Sequence, residues 1–417
     1  MAQTLFLALL ASLVAAQEGT VRPLVEQCGP ANVACINRYA AVMPYTFLRN
    51  DSTTEKLTSF AEIDVPNDPS FAVLNDTDFL VFDRKRGLEL LGPNPQYDFI
   101  FPLTNAVHEA PVYVPAQNKL YFSRLAPPPG FLPQLVIDLN QNPPTLSEYL
   151  SDPPVYAPNG GTFYNGLIYW GASGGNASIG GTEQRIGIRT LDPLTNKTTV
   201  LLNNYYGLYF NCVDDLIVDG AGNIWFTDPQ YSWFNRITDT PPQLRTASYR
   251  FNPRTGETTV VDDTLVQPNG IALSPDGKHI YISDTGGITG VIDPAILDIP
   301  GSPWNQTGPR TVYKFDVSDH GRSLINRRPI FYATEGAPDG LKVAANGYVI
   351  TAAGRGLDIL DQYGSYIARV QANYTVQNFA WVGEDLTELW MMGQGGVSRV
   401  RWNLKGIDLA DPPFPKY

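Results

Sequence analysis

Along this chain short runs of apolar residues alternate with polar ones, and Gly, Pro, Asn or Asp separates each run from the next. A period of two with closely spaced turn residues predicts β-strands joined by tight turns. The stretch VQPNGIALSPDGKHIYISDT, from Val266, shows the unit: two strands around a Ser-Pro-Asp-Gly turn, with Asn269 set between Pro268 and Gly270. The same order, a polar residue in a turn, an apolar strand, a tight turn and an aromatic or β-branched strand, occurs six times. The copies are HEAPVYVPAQNKLYF from His108, PNGGTFYNGLIYW from Pro158, VDDLIVDGAGNIWF from Val213, PNGIALSPDGKHIYI from Pro268, PDGLKVAANGYVI from Pro338 and QNFAWVGEDLTELW from Gln377.

Successive copies stand 50, 55, 55, 70 and 39 residues apart, measured from Glu109, Asn159, Asp214, Asn269, Asp339 and Asn378. Such a period holds four short strands, one blade of a β-propeller, and no helical periodicity is sustained across the repeats. The expected fold is all-β, a six-bladed β-propeller over residues 41–417. Residues from about 40 to 105 should supply strands that close the ring against GGVSRVRWN, from Gly395, because an unclosed ring leaves sheet edges open.

Innermost strands of a propeller run along its axis, so equivalent positions form a ring. Here the ring is Glu109, Asn159, Asp214, Asn269, Asp339 and Asn378, carboxylates and amides throughout. Asn and Asp also favour turns by bonding to nearby backbone. Six such residues at one repeat position argue for more, and oxygen donors of this kind suit Ca²⁺ or another hard divalent cation.

Composition narrows the setting. The chain is 43% hydrophobic and 17% charged, enough for a large core, and its formal charge of −12 disfavours a nucleic-acid partner. Residues 1–16, MAQTLFLALLASLVAA, read as a signal peptide ending in Val14-Ala15-Ala16, followed by an N-terminal extension over 17–40. Six Asn-X-Ser/Thr sequons, at Asn50, Asn75, Asn176, Asn196, Asn305 and Asn373, agree with secretion. Cys28 and Cys35 could staple an N-terminal loop, although pairing of Cys212 with either is equally compatible with the sequence. No later run is apolar for long enough to be a membrane helix, and a monomer is expected.

Other chemistry is poorly represented. GASGG, Gly171–Gly175, matches a nucleophile-elbow pattern, but loop and strand follow it where a helix is required. Three histidines leave little for a zinc site or a triad. His108 reads as a packed structural residue, His279 as an exposed hairpin residue and His320 as a loop residue. Trp225, Tyr281 and Trp390 read as core between blades. Tyr231 and Trp233, just after a strand end, are candidates for a pocket mouth.

The segments HEAPVY from His108, DDLIVDGAGNIWFTDP from Asp214, PNGIALSPDGKHIYISDT from Pro268 and PDGLKV from Pro338 resemble the senescence marker protein/gluconolactonase family, which includes regucalcin-like lactonases. The resemblance covers about residues 105 to 400. It implies a six-bladed propeller with a divalent metal, usually calcium, at one mouth of the channel, and Glu109, Asn269 and Asp339 as ligands. It also implies that the family's Asn-Asp pair falls on Asp214 and Asp215, where this chain departs from the pattern by carrying Asp at the first position. Cys212 stands near the place of a substrate-holding arginine.

The resulting expectation is a secreted, calcium-dependent hydrolase that opens a lactone or related ester. Its metal ligands would be Glu109, Asp214, Asn269 and Asp339, its catalytic pair Asp214 and Asp215, and its substrate contacts Asn159, Tyr231 and Asn378. The partner is a small-molecule lactone, with neither nucleic acid nor membrane. Alternatives are a metal-independent strictosidine synthase-like propeller enzyme and a non-catalytic binding propeller with structural calcium. The loop LAPPPGFLP, from Leu125, and the segment from Tyr231 suggest an apolar rim.

Overall fold

A computed structural model describes residues 23–37, 59–63, 65, 68–176, 179–290, 303–318 and 320–416. The expected signal peptide, residues 1–16, and the Asn50 sequon lie outside the described residues. Among the described residues the strands form six sheets. Each sheet starts with an inner strand: Val112–Val114, Pro158–Tyr164, Leu216–Val218, Pro268–Leu273, Pro338–Val343 and Thr375–Val382. Each inner strand contacts the next, and the sixth contacts the first, so the sheets stand around one axis as an all-β propeller.

Burial follows position within a sheet. In the second, the inner strand Pro158–Tyr164 is buried along almost its whole length, while the outer strand Lys197–Leu202 is largely exposed. The turns have local causes. At Pro275-Asp276-Gly277, Asp276 Oδ1 accepts from Ser274 Oγ at 2.7 Å and Gly277 takes φ +69°, a value that favours glycine.

Aromatic residues fill the wedges between sheets. Trp225 packs with Ile271 and Ile280 of the fourth sheet, Tyr281 with Leu341 and Leu360 of the fifth, and Trp390 with Leu120 and Ile137 of the first. All three are at most 1% exposed, as the sequence pattern led us to expect.

Closure also follows the expected pairing. Gln96–Leu103 runs antiparallel to Gly395–Arg401, with Gly395 opposite Leu103 and Arg401 opposite Gln96. A second addition was not foreseen. Phe79–Val81 pairs with Tyr366–Gln371 at the outer edge of the fifth sheet, and the hairpin Val25–Gln27 and Val33–Ile36 extends that sheet further. A disulfide joins Cys28 to Cys35 across this hairpin, and Cys212 is free and buried.

At the other end of the chain, the segment after Arg401 crosses one mouth of the channel. Ile407, Leu409 and Phe414 line the space beneath Thr162, Ile271, Lys342 and Trp381. The Gly406 N–H donates to Leu386 O, and the Ala345 N–H to Lys405 O. Among the described residues no helix is long and apolar enough to cross a membrane.

Candidate active site

The first residues of four inner strands, and the segments leading into Val112–Val114 and Leu216–Val218, carry the ring residues to the end of the channel away from this crossing segment. In order around the axis, Glu109, Asn159, Asp214, Asn269, Asp339 and Asn378 alternate acid and amide. Each acid bonds to an amide from a neighbouring sheet: Glu109 to Asn378, Asp214 to Asn159 and Asp339 to Asn269. Burial and mutual repulsion hold the acids above the usual carboxylate range, Glu109 and Asp214 well above it. Burial likewise lifts Asp339 to about 7, against the Asn269 hydrogen bond. Among the described residues, no three His, Cys, Asp or Glu side chains are already gathered into a metal cage.

The glycines after the ring residues answer to a neighbouring strand more than to the axis. A Cβ on Gly160 would lie 2.2 Å from Asp214 O, and one on Gly270 would lie 2.5 Å from Asp339 O. Without side chains at these points the inner strands approach closely, which brings the ring together.

Strand ends fix the turns. Asp228, last in Ile224–Asp228, accepts the backbone N–H groups of Asn211 at 2.9 Å and Cys212 at 2.8 Å, two residues before Asp214. Burial raises Asp228 to about 7. Asp284 does the same one sheet on, accepting from Val266 at 3.0 Å and Gln267 at 2.9 Å ahead of Asn269. Thr227 Oγ1 then donates to Asn269 O at 2.5 Å and ties the third sheet to the fourth.

A cavity of about 350 Å³ opens over the ring. Glu109, Asn159, Asp214, Asn269 and Asp339 line it, and Tyr231 joins them from the helical turn Tyr231–Phe234. Leu125, Ala126 and Pro127 of the proline-rich loop line it as well, with Val107, Ile237 and Ile288. Two expected site residues do not reach it. Asn378 bonds to Glu109 instead, and Gln377 takes its place on the cavity wall.

Asp215 is the second. It is 1% exposed and lies deeper in the channel, where its Oδ1 accepts from the Leu216 N–H at 2.9 Å and its Oδ2 stands 3.6 Å from Lys342 Nζ. Burial raises its pKa and Lys342 opposes that rise. Trp233 does not line the cavity.

Lys342 was not singled out from sequence. Its one signal was a lysine between Leu341 and Val343 inside a buried strand. Ser173 of GASGG does face the cavity, but the preceding strand Leu167–Ala172 leads to a short 3₁₀ turn at Ile179–Gly181, so no nucleophile elbow forms.

The histidines stand apart from the cavity wall. His108 is buried against Phe122, with Nδ1 3.0 Å from Gly393 O, which fits a packed structural residue. His279 is half-buried and not free in solvent: Asp316 Oδ1 lies 3.0 Å from its Nδ1.

A family model described as the SMP-30/Gluconolactonase/LRE-like region matches residues 165–296 and 304–394, more than half of the chain. The chain belongs to this family. Lactonohydrolase oryL of Aspergillus oryzae (strain ATCC 42149 / RIB 40) is 46% identical over 391 residues, which is 93% of this chain and 89% of that one. A gluconolactonase structure from Xanthomonas campestris matches at TM-score 0.61 and 22% identity, over 78% of this chain and 94% of its own. A regucalcin from Agrobacterium tumefaciens, described as a calcium-binding protein, matches at TM-score 0.53 and 16% identity, over 76% and 98%. The two solved structures share the fold of this chain.

Proposed function

We propose that this chain is a secreted, calcium-dependent hydrolase that opens a lactone, built as a six-bladed propeller. One observation carries the reading: three buried carboxyls, each beside an amide, converge at the polar end of a cavity large enough for a small molecule. The lactonohydrolase and gluconolactonase relatives support the reaction class. Six sheets with cyclic contacts between inner strands support six blades.

The donor set fits a hard divalent cation. Carboxylate and amide oxygens are its preferred ligands, and a cation would relieve the repulsion that holds Glu109, Asp214 and Asp339 above their ordinary range. Glu109, Asn269 and Asp339 would hold it, with Asp214 on the same ring. When bound, it supplies a Lewis acid that polarises the lactone carbonyl and balances charge on the oxyanion.

Asp214 is the base, because it lines the cavity while Asp215 lies deeper, against Lys342. The Asp214 carboxylate takes a proton from water as the water oxygen bonds to the carbonyl carbon. The ring C–O bond then breaks, and the same carboxyl returns the proton to the departing alkoxide, leaving a hydroxy acid. General-base help of this kind is worth roughly 10²- to 10⁴-fold. Asn159 orients Asp214 through their hydrogen bond, and Asp215 with Lys342 holds the inner strand in place.

Secretion is supported by the Cys28–Cys35 disulfide and by the exposure of Asn75, Asn196, Asn305 and Asn373 among the described sequons. Metal content of dialysed protein, with lactone turnover before and after chelation, tests the reading. About one calcium per chain, lost in Asn269→Ala together with turnover, is expected. Full turnover after complete metal removal would overturn the calcium mechanism.

A further inference from the structure

We propose that the lactone taken by this site carries an alkyl or other apolar substituent in place of the hydroxyl groups of a sugar lactone. The inference rests on the lactonase reading of the same cavity. It follows from how polar groups are distributed along the cavity. The hydrogen-bonding residues are concentrated at the ring, where the ester must sit. Outward from the ring the wall is mainly apolar, formed by Val107, Leu125, Ala126, Pro127, Ile237 and Ile288 with the amide of Asn235, and among the described residues no Lys, Arg or His lines the cavity.

Most polar side chains in the wall are already engaged, and Asn235 adds one exposed amide after the helical turn. The Tyr231 hydroxyl lies 3.0 Å from Thr285 O and 2.9 Å from Ile288 O, so it donates to main-chain carbonyls and presents its ring to the cavity. Thr285 Oγ1 donates to Pro338 O at 3.2 Å, and Gln377 Oε1 accepts the Gln394 N–H at 2.7 Å. Ser173 Oγ and Cys212 Sγ face each other at 3.3 Å.

A polyhydroxylated ring placed here would turn most of its hydroxyls towards carbon. Each hydroxyl stripped of water without a partner is disfavoured, and selection against such a substrate is strong when the wall offers few replacement bonds. An alkyl arm leaving the ester towards Leu125 and Ile237 would bury its methylenes against matching surface. Each buried methylene improves binding by roughly three- to fourfold.

The test uses the full chain with calcium and a homologous series, γ-butyrolactone, γ-hexalactone, γ-octalactone and γ-decalactone, beside glucono-δ-lactone, with acid release followed by pH-stat. We expect kcat/KM to climb about tenfold for each two added carbons until the cavity is filled, with the sugar lactone the poorest substrate. Leu125→Asn, at a half-buried loop position, should flatten that slope, and Ile237→Asn, in the same apolar cluster, should do the same. Ile237→Val should retain it. Glucono-δ-lactone turned over better than every alkyl lactone, or a chain-length slope of zero, would overturn this inference and leave the lactonase reading standing. No hydrolysis of any lactone would overturn the lactonase reading itself, and this inference with it.

Discussion

Lys342→Met takes a cation out of the channel beneath the acidic ring, at a distance that allows its effect to be worked out. Lys342 Nζ stands 3.6 Å from Asp215 Oδ2. At an effective dielectric constant of about 20, that separation corresponds to about 4–5 kcal/mol of attraction. Burial of the ammonium opposes it, and relief of that burial in the variant returns part of the loss. Removing one partner of a buried pair leaves the other uncompensated, so a net cost of about 2–4 kcal/mol is expected.

Unfolding entropy near 2.1 cal/mol/K per residue amounts to about 0.9 kcal/mol/K for this chain, so Tm should fall by only about 2–4 °C. Scanning calorimetry with calcium present resolves such a shift. The decisive measurement is a double-mutant cycle. If the pair acts as described, Asp215→Asn combined with Lys342→Met should cost at least about 1 kcal/mol less than the two single changes added together. Additivity within about 0.5 kcal/mol would refute the coupling between Asp215 and Lys342.

Asp214→Asn keeps the shape and the contact to Asn159 but loses the proton acceptor, so kcat should fall roughly 10²- to 10⁴-fold while one calcium per chain remains, measured by pH-stat and elemental analysis. Gly160→Ala would set a methyl group 2.2 Å from Asp214 O and force adjacent inner strands apart, so turnover and Tm should fall together. Hydrogen bonds from Arg328 hold the Asp316 carboxyl well below its usual range, and a depressed carboxyl pKa stabilises the fold above the unfolded-state value of about 3.9. Arg328→Met should therefore be less stable than wild type at neutral pH, with the difference closing as pH falls below about 4; a gap unchanged at low pH in urea titrations would count against the pair.

The ring was legible because the chain states it six times. Asn269 alone is an amide in a turn. Six aligned positions made a ring, and the alternation of acid and amide was already present in their order. The closing strand of the sixth sheet was legible for a related reason, since an open ring has an edge and only one strand-forming segment near the C-terminus was placed to meet it. Phe79–Val81 was not, because three residues carry no periodicity and their pairing with Tyr366–Gln371 depends on the tertiary path.

Lys342 was missed because it interrupts a single copy of the repeat. Asp214 and Asp215 looked like one pair in sequence. They lie just ahead of the strand Leu216–Val218 and diverge there: Asp214 reaches the cavity and Asp215 goes to the lysine. The apolar wall was visible only as loops, and loops do not announce their destination.

Pairing of Gln96–Leu103 with Gly395–Arg401 also sets a timetable for the nascent chain. At roughly 5–20 residues per second, about 15–60 s separate synthesis of Asp98 from synthesis of Arg399, 301 positions later. Throughout that interval the early strand has no native neighbour, and its free edge is open to any other strand. Its composition suits the wait: Asp98 places a charge on it and Pro102 removes one backbone donor, both of which discourage foreign pairing. When the partner arrives, Asp98 receives Arg399 at 2.8 Å and Arg401 at 3.0 Å, so the charge that kept strangers away becomes the mark by which the right strand finds its register.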